Sequence, residues 1–210
     1  MLTQRRRCGH QLERRSGRAQ AIARAIQQRL GRALLGTASA FRYHMSELID
    51  LTSDSTDGLY MYRNVGKASA TGAEVGLEAR FGGALGYANY TYQHAWDEAT
   101  DQVLSNSPSH MVKAGISAPL ANRVGGAFES RFESGRATLY GTRTGAYTLS
   151  NVHVWFSPFG SLAAEGGLQL SLRVNNLFNA EYATPGGVEH IQPAIEQDRR
   201  NLSAELRYRF

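Results

Sequence analysis

Two stretches near the C-terminus alternate strictly between apolar and polar residues, and a period of two permits little besides a β-strand with two unlike faces. In residues 168 to 177, Leu168, Leu170, Leu172 and Val174 fall on one side, with Gln169, Ser171, Arg173 and Asn175 on the other. Residues 202 to 210 set Leu202, Ala204, Leu206, Tyr208 and Phe210 against Ser203, Glu205, Arg207 and Arg209. A looser version runs through residues 124 to 133, where Val124, Gly126, Phe128 and Phe132 oppose Glu129, Arg131 and Glu133. In residues 74 to 81, Val75, Leu77, Ala79 and Phe81 oppose Glu74, Glu78 and Arg80. With the weaker candidates added, eight strands are expected, at about 36–52, 58–81, 84–96, 109–119, 123–134, 146–157, 168–178 and 199–210.

The connections alternate in length. Gly82-Gly83, Ala121-Asn122 and the link from Ser157 to Gly167 are short or fairly short, whereas residues 97 to 108, 135 to 145 and 179 to 198 are long. Short turns on one rim and long loops on the other are the build of an outer-membrane barrel, with the long loops outside the cell. A soluble β-sandwich also alternates, but several strands here reach or exceed the roughly 9 to 11 residues that cross a bilayer. Aromatic residues also gather near strand ends, and Tyr60, Tyr62, Trp96, Trp155 and Phe156 are the candidates for a belt at the headgroup level. No stretch approaches the roughly 18 to 20 consecutive apolar residues that a transmembrane helix requires. Gly at 22 residues, Pro at 5 and 20 aromatic residues fit strands and turns.

The net charge of +5 belongs to one end. Residues 1 to 32 hold nine arginines and one acid, Glu13, a balance of +8 that leaves −3 for the remainder. That segment lacks the uninterrupted apolar core of a secretory signal, because Arg18, Arg24, Arg29 and Arg32 break each candidate. Ile22, Ile26, Leu30 and Leu34 recur every four residues, which makes a short amphipathic helix over residues 19 to 35 an expectation. Three readings of residues 1 to 35 stand: a basic arm for nucleic acid or a membrane surface, a solvated tail, and a stretch that is not the natural start of the protein. The preferred one is the last, so no nucleic-acid partner is expected. The domain division is accordingly a basic segment, residues 1–35, and a β-barrel segment, residues 36–210.

Catalytic chemistry finds no foothold. Cys8 stands alone, which excludes an intramolecular disulfide and a paired-cysteine metal site. His44, His94, His110, His153 and His190 are scattered without ligand spacing, and Asp54, Asp57, Asp97, Glu98 and Asp101 sit in turn or loop stretches, where solvated acids are the simplest reading. Neither a metal nor a cofactor is expected, and no enzyme.

Four segments resemble the TonB-dependent outer-membrane receptors. Asn64-Val65-Gly66-Lys67-Ala68 running through Thr71-Gly72-Ala73-Glu74-Val75 resembles the family's "N-x-G-x-A…x-G-x-E" strand. Asn175, Asn176, Leu177 and Phe178, continuing to Tyr182, resemble its "N-N-L-F-N-x-x-Y" signature. Leu206, Tyr208 and Phe210 resemble the terminal strand that such proteins present to the barrel-assembly machinery, and Gly36 to Leu51 resembles a further family strand. The likeness extends over about residues 29 to 210 in the family's order and spacing, against the family's barrel of about 22 strands and N-terminal plug. It implies an all-β fold of antiparallel transmembrane β-barrel strands, about eight of them and so a partial barrel. It further implies localisation in the outer membrane of a Gram-negative bacterium, contact with outer-membrane lipid, and, in a full-length receptor, a TonB-type energy-transducing protein and a small nutrient ligand such as a siderophore or cobalamin. Nothing resembles the plug, so a truncated fragment not competent alone is expected. The alternative is a stand-alone structural barrel, since eight strands can close a small one.

Overall fold

The structure, a computed structural model, describes residues 18–53, 60–159 and 167–209. Phe210, Asp54 and Asp57 of the expectations above lie outside the described residues, as does the side chain of Tyr60. Eleven strands occur: β1 Arg18–Leu30, β2 Leu34–Ser53, β3 Tyr60–Phe81, β4 Ala84–Asp97, β5 His110–Ala121, β6 Val124–Glu133, β7 Tyr147–Phe156, β8 Gly167–Asn175, β9 Ala183–Pro185, β10 Ala194–Glu196 and β11 Asn201–Arg209. Nine of them form one antiparallel sheet in the order β1-β2-β3-β4-β5-β6-β7-β8-β11, and β9 and β10 form a small hairpin within the last long loop. The outer strands β1 and β11 do not pair with each other, so the sheet is open. Among the described residues the sheet is antiparallel and all-β, as expected.

The N-terminal helix does not form. Among the described residues there is no α-helix, and Arg18 to Leu30 pair residue by residue with Ser46 to Leu34. The physical reason lies in the spacing itself. A repeat of four is close to a helical turn, but it is also twice the strand period, so Ile22, Ile26 and Leu30 share one side of a strand equally well. What decides is the neighbour: β2 offers a free edge beside β1, and thirteen residues in ladder register satisfy backbone groups that an isolated helix of this length holds only marginally.

Register carries one apolar face through the whole sheet. Leu34, Ala79, Gly86, Ile116, Phe128, Val152, Val174 and Leu202 follow one another from β2 to β11 as paired positions. A parallel row runs through Ala38, Val75, Tyr90, Val112 and Phe132. These side chains are not packed against a second layer. Val75 is 51% exposed, Leu172 49% and Leu206 65%, and the buried hydrophobic residues among those described come to only Ala68, Ala70, Ala95, Tyr147 and Leu149. A soluble sandwich buries its apolar face against a second sheet, so this arrangement removes that reading and calls for an apolar solvent instead.

Turn chemistry separates the rims. Gly82 and Gly83 both have positive φ, at 54° and 81°, the backbone of the tight type I′ hairpin that only glycine and a few polar residues adopt at low cost. Gly31 likewise turns β1 into β2 with φ 70°. At the opposite rim β2 carries a bulge around Glu47, which has φ 56° and whose carbonyl accepts a bond from Asn64 Nδ2 at 2.9 Å.

Candidate functional site

The face opposite the apolar one carries most of the polar residues, together with a few apolar ones such as Phe41 and Leu85. Glu74, Glu78 and Arg80 of β3, Asn89 and Thr91 of β4, Lys113 of β5, Glu129 and Arg131 of β6, Arg173 of β8 and Glu205 and Arg207 of β11 alternate with the apolar rows. Residues of β1, β2, β3, β4 and β5 line one hollow of about 620 Å³, among them Thr37, Ser39, Glu74, Asn89, Thr91 and Lys113. A hollow shared by five consecutive strands means that the sheet curves toward this side. Tyr87 donates to Glu129 Oε2 at 2.7 Å, so carboxylates here are held by neighbours across strands.

Trp155 also lies on the polar face. It pairs with Gly125 and Ser171, and a side chain at Gly125 would run into the indole ring. His153 tilts against the same indole, with ring centroids 5.1 Å apart. Gly125→Ala is therefore expected to displace the ring and lower stability by about 1 to 2 kcal/mol, read as a shift of tryptophan emission together with a lower unfolding midpoint. Phe156, next in the strand, points to the apolar face, and consecutive residues of a strand cannot both do so. Trp96 shares the apolar side with Tyr90 and Tyr92, and Tyr62 is exposed. Of the five belt residues, then, Trp96 and Phe156 are on the apolar side and Trp155 is not.

The long-loop rim is tied together by a buried polar network. Arg136 donates from Nη1 to Asn106 Oδ1 at 2.7 Å and from Nη2 to the Tyr147 hydroxyl at 3.1 Å, and it forms an ion pair with Glu133. Tyr147 donates in turn to Glu133 Oε2 at 2.9 Å and packs on Tyr182 with ring centroids 4.6 Å apart. Loops 98–109 and 134–146 thus meet at one guanidinium group, whose Nε is buried without a partner, and loop 176–200 joins them through Tyr182 on Tyr147. Beside it Gly145, Ala146, Glu181, Tyr182, Glu196 and Arg199 line a hollow of about 270 Å³. Tyr140 adds a bond of 2.7 Å to the carbonyl of His190 across two of these loops.

The Asn-Asn-Leu-Phe-Asn signature is the turn that launches the last loop. Asn176 and Asn179 have φ of 49° and 56°, values that asparagine tolerates better than most residues. Asn176, 5% exposed, accepts from Ala180 N and donates to Ala180 O, both at 2.8 Å. Its own N–H donates to Asn151 Oδ1 at 3.0 Å, and Leu177 N–H to Ser150 O at 2.7 Å, which fixes the turn to β7. Asn175 bonds Asn201 across to β11 at 2.8 Å. Phe178 is exposed. Tyr182 reaches the rim network, whereas Leu206 and Tyr208 stand on the apolar face of β11.

Sequence reading missed one trio, Ser69, His44 and Glu98. His44 Nδ1 lies 2.8 Å from Glu98 Oε1 and 3.3 Å from Ser69 Oγ, and Ser69 also donates to Glu98. Serine and carboxylate meet the same ring nitrogen, whereas a nucleophile relay places them on different ones. Ser69 is moreover only 2% exposed. The trio is a structural latch between β2, β3 and the loop after β4. Its hydrogen bond from Ser69, and then that from His44, holds the Glu98 carboxyl below the ordinary glutamate range. The pairing of β2 with β3 and of β3 with β4 brings these three residues together, so no local motif announces them.

A curved antiparallel sheet with one exposed apolar face, one polar face and rims of unequal loops is a segment of transmembrane β-barrel wall. Residues 28–177 match the family described as TonB dependent receptor-like, beta-barrel, and the chain belongs to that family of outer-membrane proteins of Gram-negative bacteria, which are transporters and not enzymes. No curated protein matches the chain in sequence. Among solved structures it is similar to the copper transporter OprC, at 15% identity and a TM-score of 0.71 over 92% of this chain and 31% of that one. The pyoverdine outer membrane receptor FpvA from Pseudomonas aeruginosa PAO1 gives 19%, 0.70, 92% and 30%, and the FrpB iron transporter from Neisseria meningitidis 16%, 0.68, 90% and 30%. The chain therefore spans about a third or less of the length of these relatives.

Proposed function

We propose that this chain forms part of the barrel wall of an outer-membrane receptor that binds and imports a scarce nutrient, such as a siderophore or cobalamin. The observation that supports it is the pairing of a continuous exposed apolar face with a polar face around a shared hollow. In this reading the apolar rows meet membrane lipid, with Tyr62, Trp96 and Phe156 near the headgroups, and the polar rows line the passage. Edge strands β1 and β11 join further strands to close the wall, because open ladder edges are not stable in hydrocarbon. Leu206, Tyr208 and Phe210 serve recognition by the barrel-assembly machinery, and a TonB-type protein energises the complete receptor. The loops tied by Arg136 contribute to ligand capture. Relatives described as iron and copper transporters and as a pyoverdine receptor support small scarce nutrients as the cargo class.

Single cysteines in a Cys8→Ser background test the wall. Exported with a signal peptide, the chain is expected in the outer-membrane fraction, with cysteines at Leu170 and Leu172 shielded from a water-soluble maleimide and those at Gln169 and Ser171 labelled. Recovery as a soluble monomer without detergent, or uniform labelling, overturns the assignment of faces. For import, deletion of the coding gene is expected to impair growth under limitation for one nutrient. Unchanged growth under iron, cobalamin and copper limitation would count against the cargo class.

A further inference from the structure

Two arginines on the apolar side of the first two strands are neighbours. Across β1 and β2, Arg24 pairs with Ala40 and Ile22 with Arg42, so Arg24 and Arg42 are diagonal neighbours on one face, a separation that long side chains span. Among the described residues no acid forms an ion pair with either guanidinium group, whereas Arg18 nearby has Glu47 at 3.7 Å. Lys67, on the same side of β3, is four residues along from Thr71, the partner of Arg42, and has the Glu98 carboxylate as its neighbour. The row through Arg24 continues over the methyl groups of Ala40 and Ala73 to Tyr92, whose ring lies 5.2 Å from that of His110. Below it the same face carries Ile26, Ala38, Val75 and Leu77, with Gln28 at its β1 edge.

We propose that Arg24 and Arg42 form an outward-facing seat for the phosphate groups of a phosphorylated glycolipid in the outer leaflet. The proposal rests on the barrel-wall reading above, which turns this face to lipid and the long-loop rim to the cell exterior. Two unpaired like charges side by side repel each other, and next to hydrocarbon each is costly. An anion between them relieves both effects, and the planar guanidinium fork matches phosphate oxygens two at a time. Tyr92 and Trp96 set this level at the headgroups, where aromatic residues concentrate. The mainly apolar run beneath the cations favours a glycolipid over a dissolved phosphate, since acyl chains lie on Ile26, Val75 and Leu77 while the phosphates reach the arginines.

Full-length chain folded in detergent micelles, titrated with lipid A and followed by Trp96 emission in a Trp155→Phe background, tests the seat. Binding is expected to weaken at least tenfold in R24Q/R42Q and to fall with added salt, and R24K/R42K is expected to restore part of it. Phosphatidylglycerol in place of lipid A is expected to bind more weakly, and inorganic phosphate not to compete at matched concentration. Equal affinity of R24Q/R42Q and the parent chain overturns the proposal. So does equal binding of phosphatidylglycerol, which would make the patch a general anionic surface, or full competition by inorganic phosphate. Insertion into pure phosphatidylcholine vesicles, read by quenching with brominated lipid, is scored separately: its failure removes the wall reading, whereas normal insertion with no lipid A preference removes the seat alone.

Discussion

Glu133→Gln is expected to lower the stability of the folded chain by about 3 to 5 kcal/mol, because it strands a buried guanidinium group without its counter-charge. Glu133 is 7% exposed, and Arg136, its ion-pair partner, is itself largely enclosed. The carboxylate also accepts from Tyr147, so one substitution weakens both contacts that hold three loops together. Urea unfolding in detergent micelles, followed by tryptophan emission, measures the loss. Two companions separate the cause. Glu205→Gln breaks an exposed pair with Arg207 at 2.7 Å and is expected to cost less than about 1 kcal/mol. Replacing both charges, Glu133→Leu with Arg136→Met, is expected to recover much of the loss, since the penalty arises from the unpaired charge rather than from the missing bridge. A double variant as unstable as the single one would mean that shape, not charge, is what the network supplies.

Asn176→Ala carries the second large expected loss, about 3 kcal/mol, with two hydrogen bonds removed, two backbone groups of Ala180 left unsatisfied, and a left-handed backbone imposed on alanine. Asn176→Gly removes the same bonds but accepts φ 49° freely, so it is expected to be about 1 kcal/mol less harmful. The difference between the two variants reads the backbone contribution directly. Because Asn176 is pinned to Asn151 of β7 and begins the loop leading to β11, the damage should appear at a distance: migration of the unheated protein on gels should become more heat-sensitive as β11 loosens. Equal stability of the alanine and glycine variants would remove any role for the positive φ.

Much of the wall was legible because period two is a local property. Leu168 to Asn175 and Leu202 to Arg209 announce their faces without any knowledge of their neighbours, and all eight expected strands occur close to the positions read from the alternation. β1 escaped because Ile22, Ile26 and Leu30 satisfy two periods at once, and only the edge of β2 chooses between them. The belt was legible only as a set of aromatic residues near strand ends. Trp155 and Phe156 are adjacent, so alternation alone should have separated them. Arg136 was invisible for a different reason: its partners come from positions 106, 133 and 147, and no pattern within a single loop marks a residue whose role is set by three. The Asn-rich signature was legible as a turn, but its attachment to β7 depends on pairing that a linear reading does not contain.

Every strand of the main sheet lies beside its predecessor in the chain, apart from the small hairpin carried in the final loop. No segment threads past another, and each strand is held mainly by two neighbours. A whole hairpin can therefore be gained or lost without rewiring what remains: the cut edges present ladders of the same direction, and the alternation on either side keeps its phase. Lineages of such walls can change circumference two strands at a time, with diameter varying by duplication while the chemistry of each rim is inherited intact.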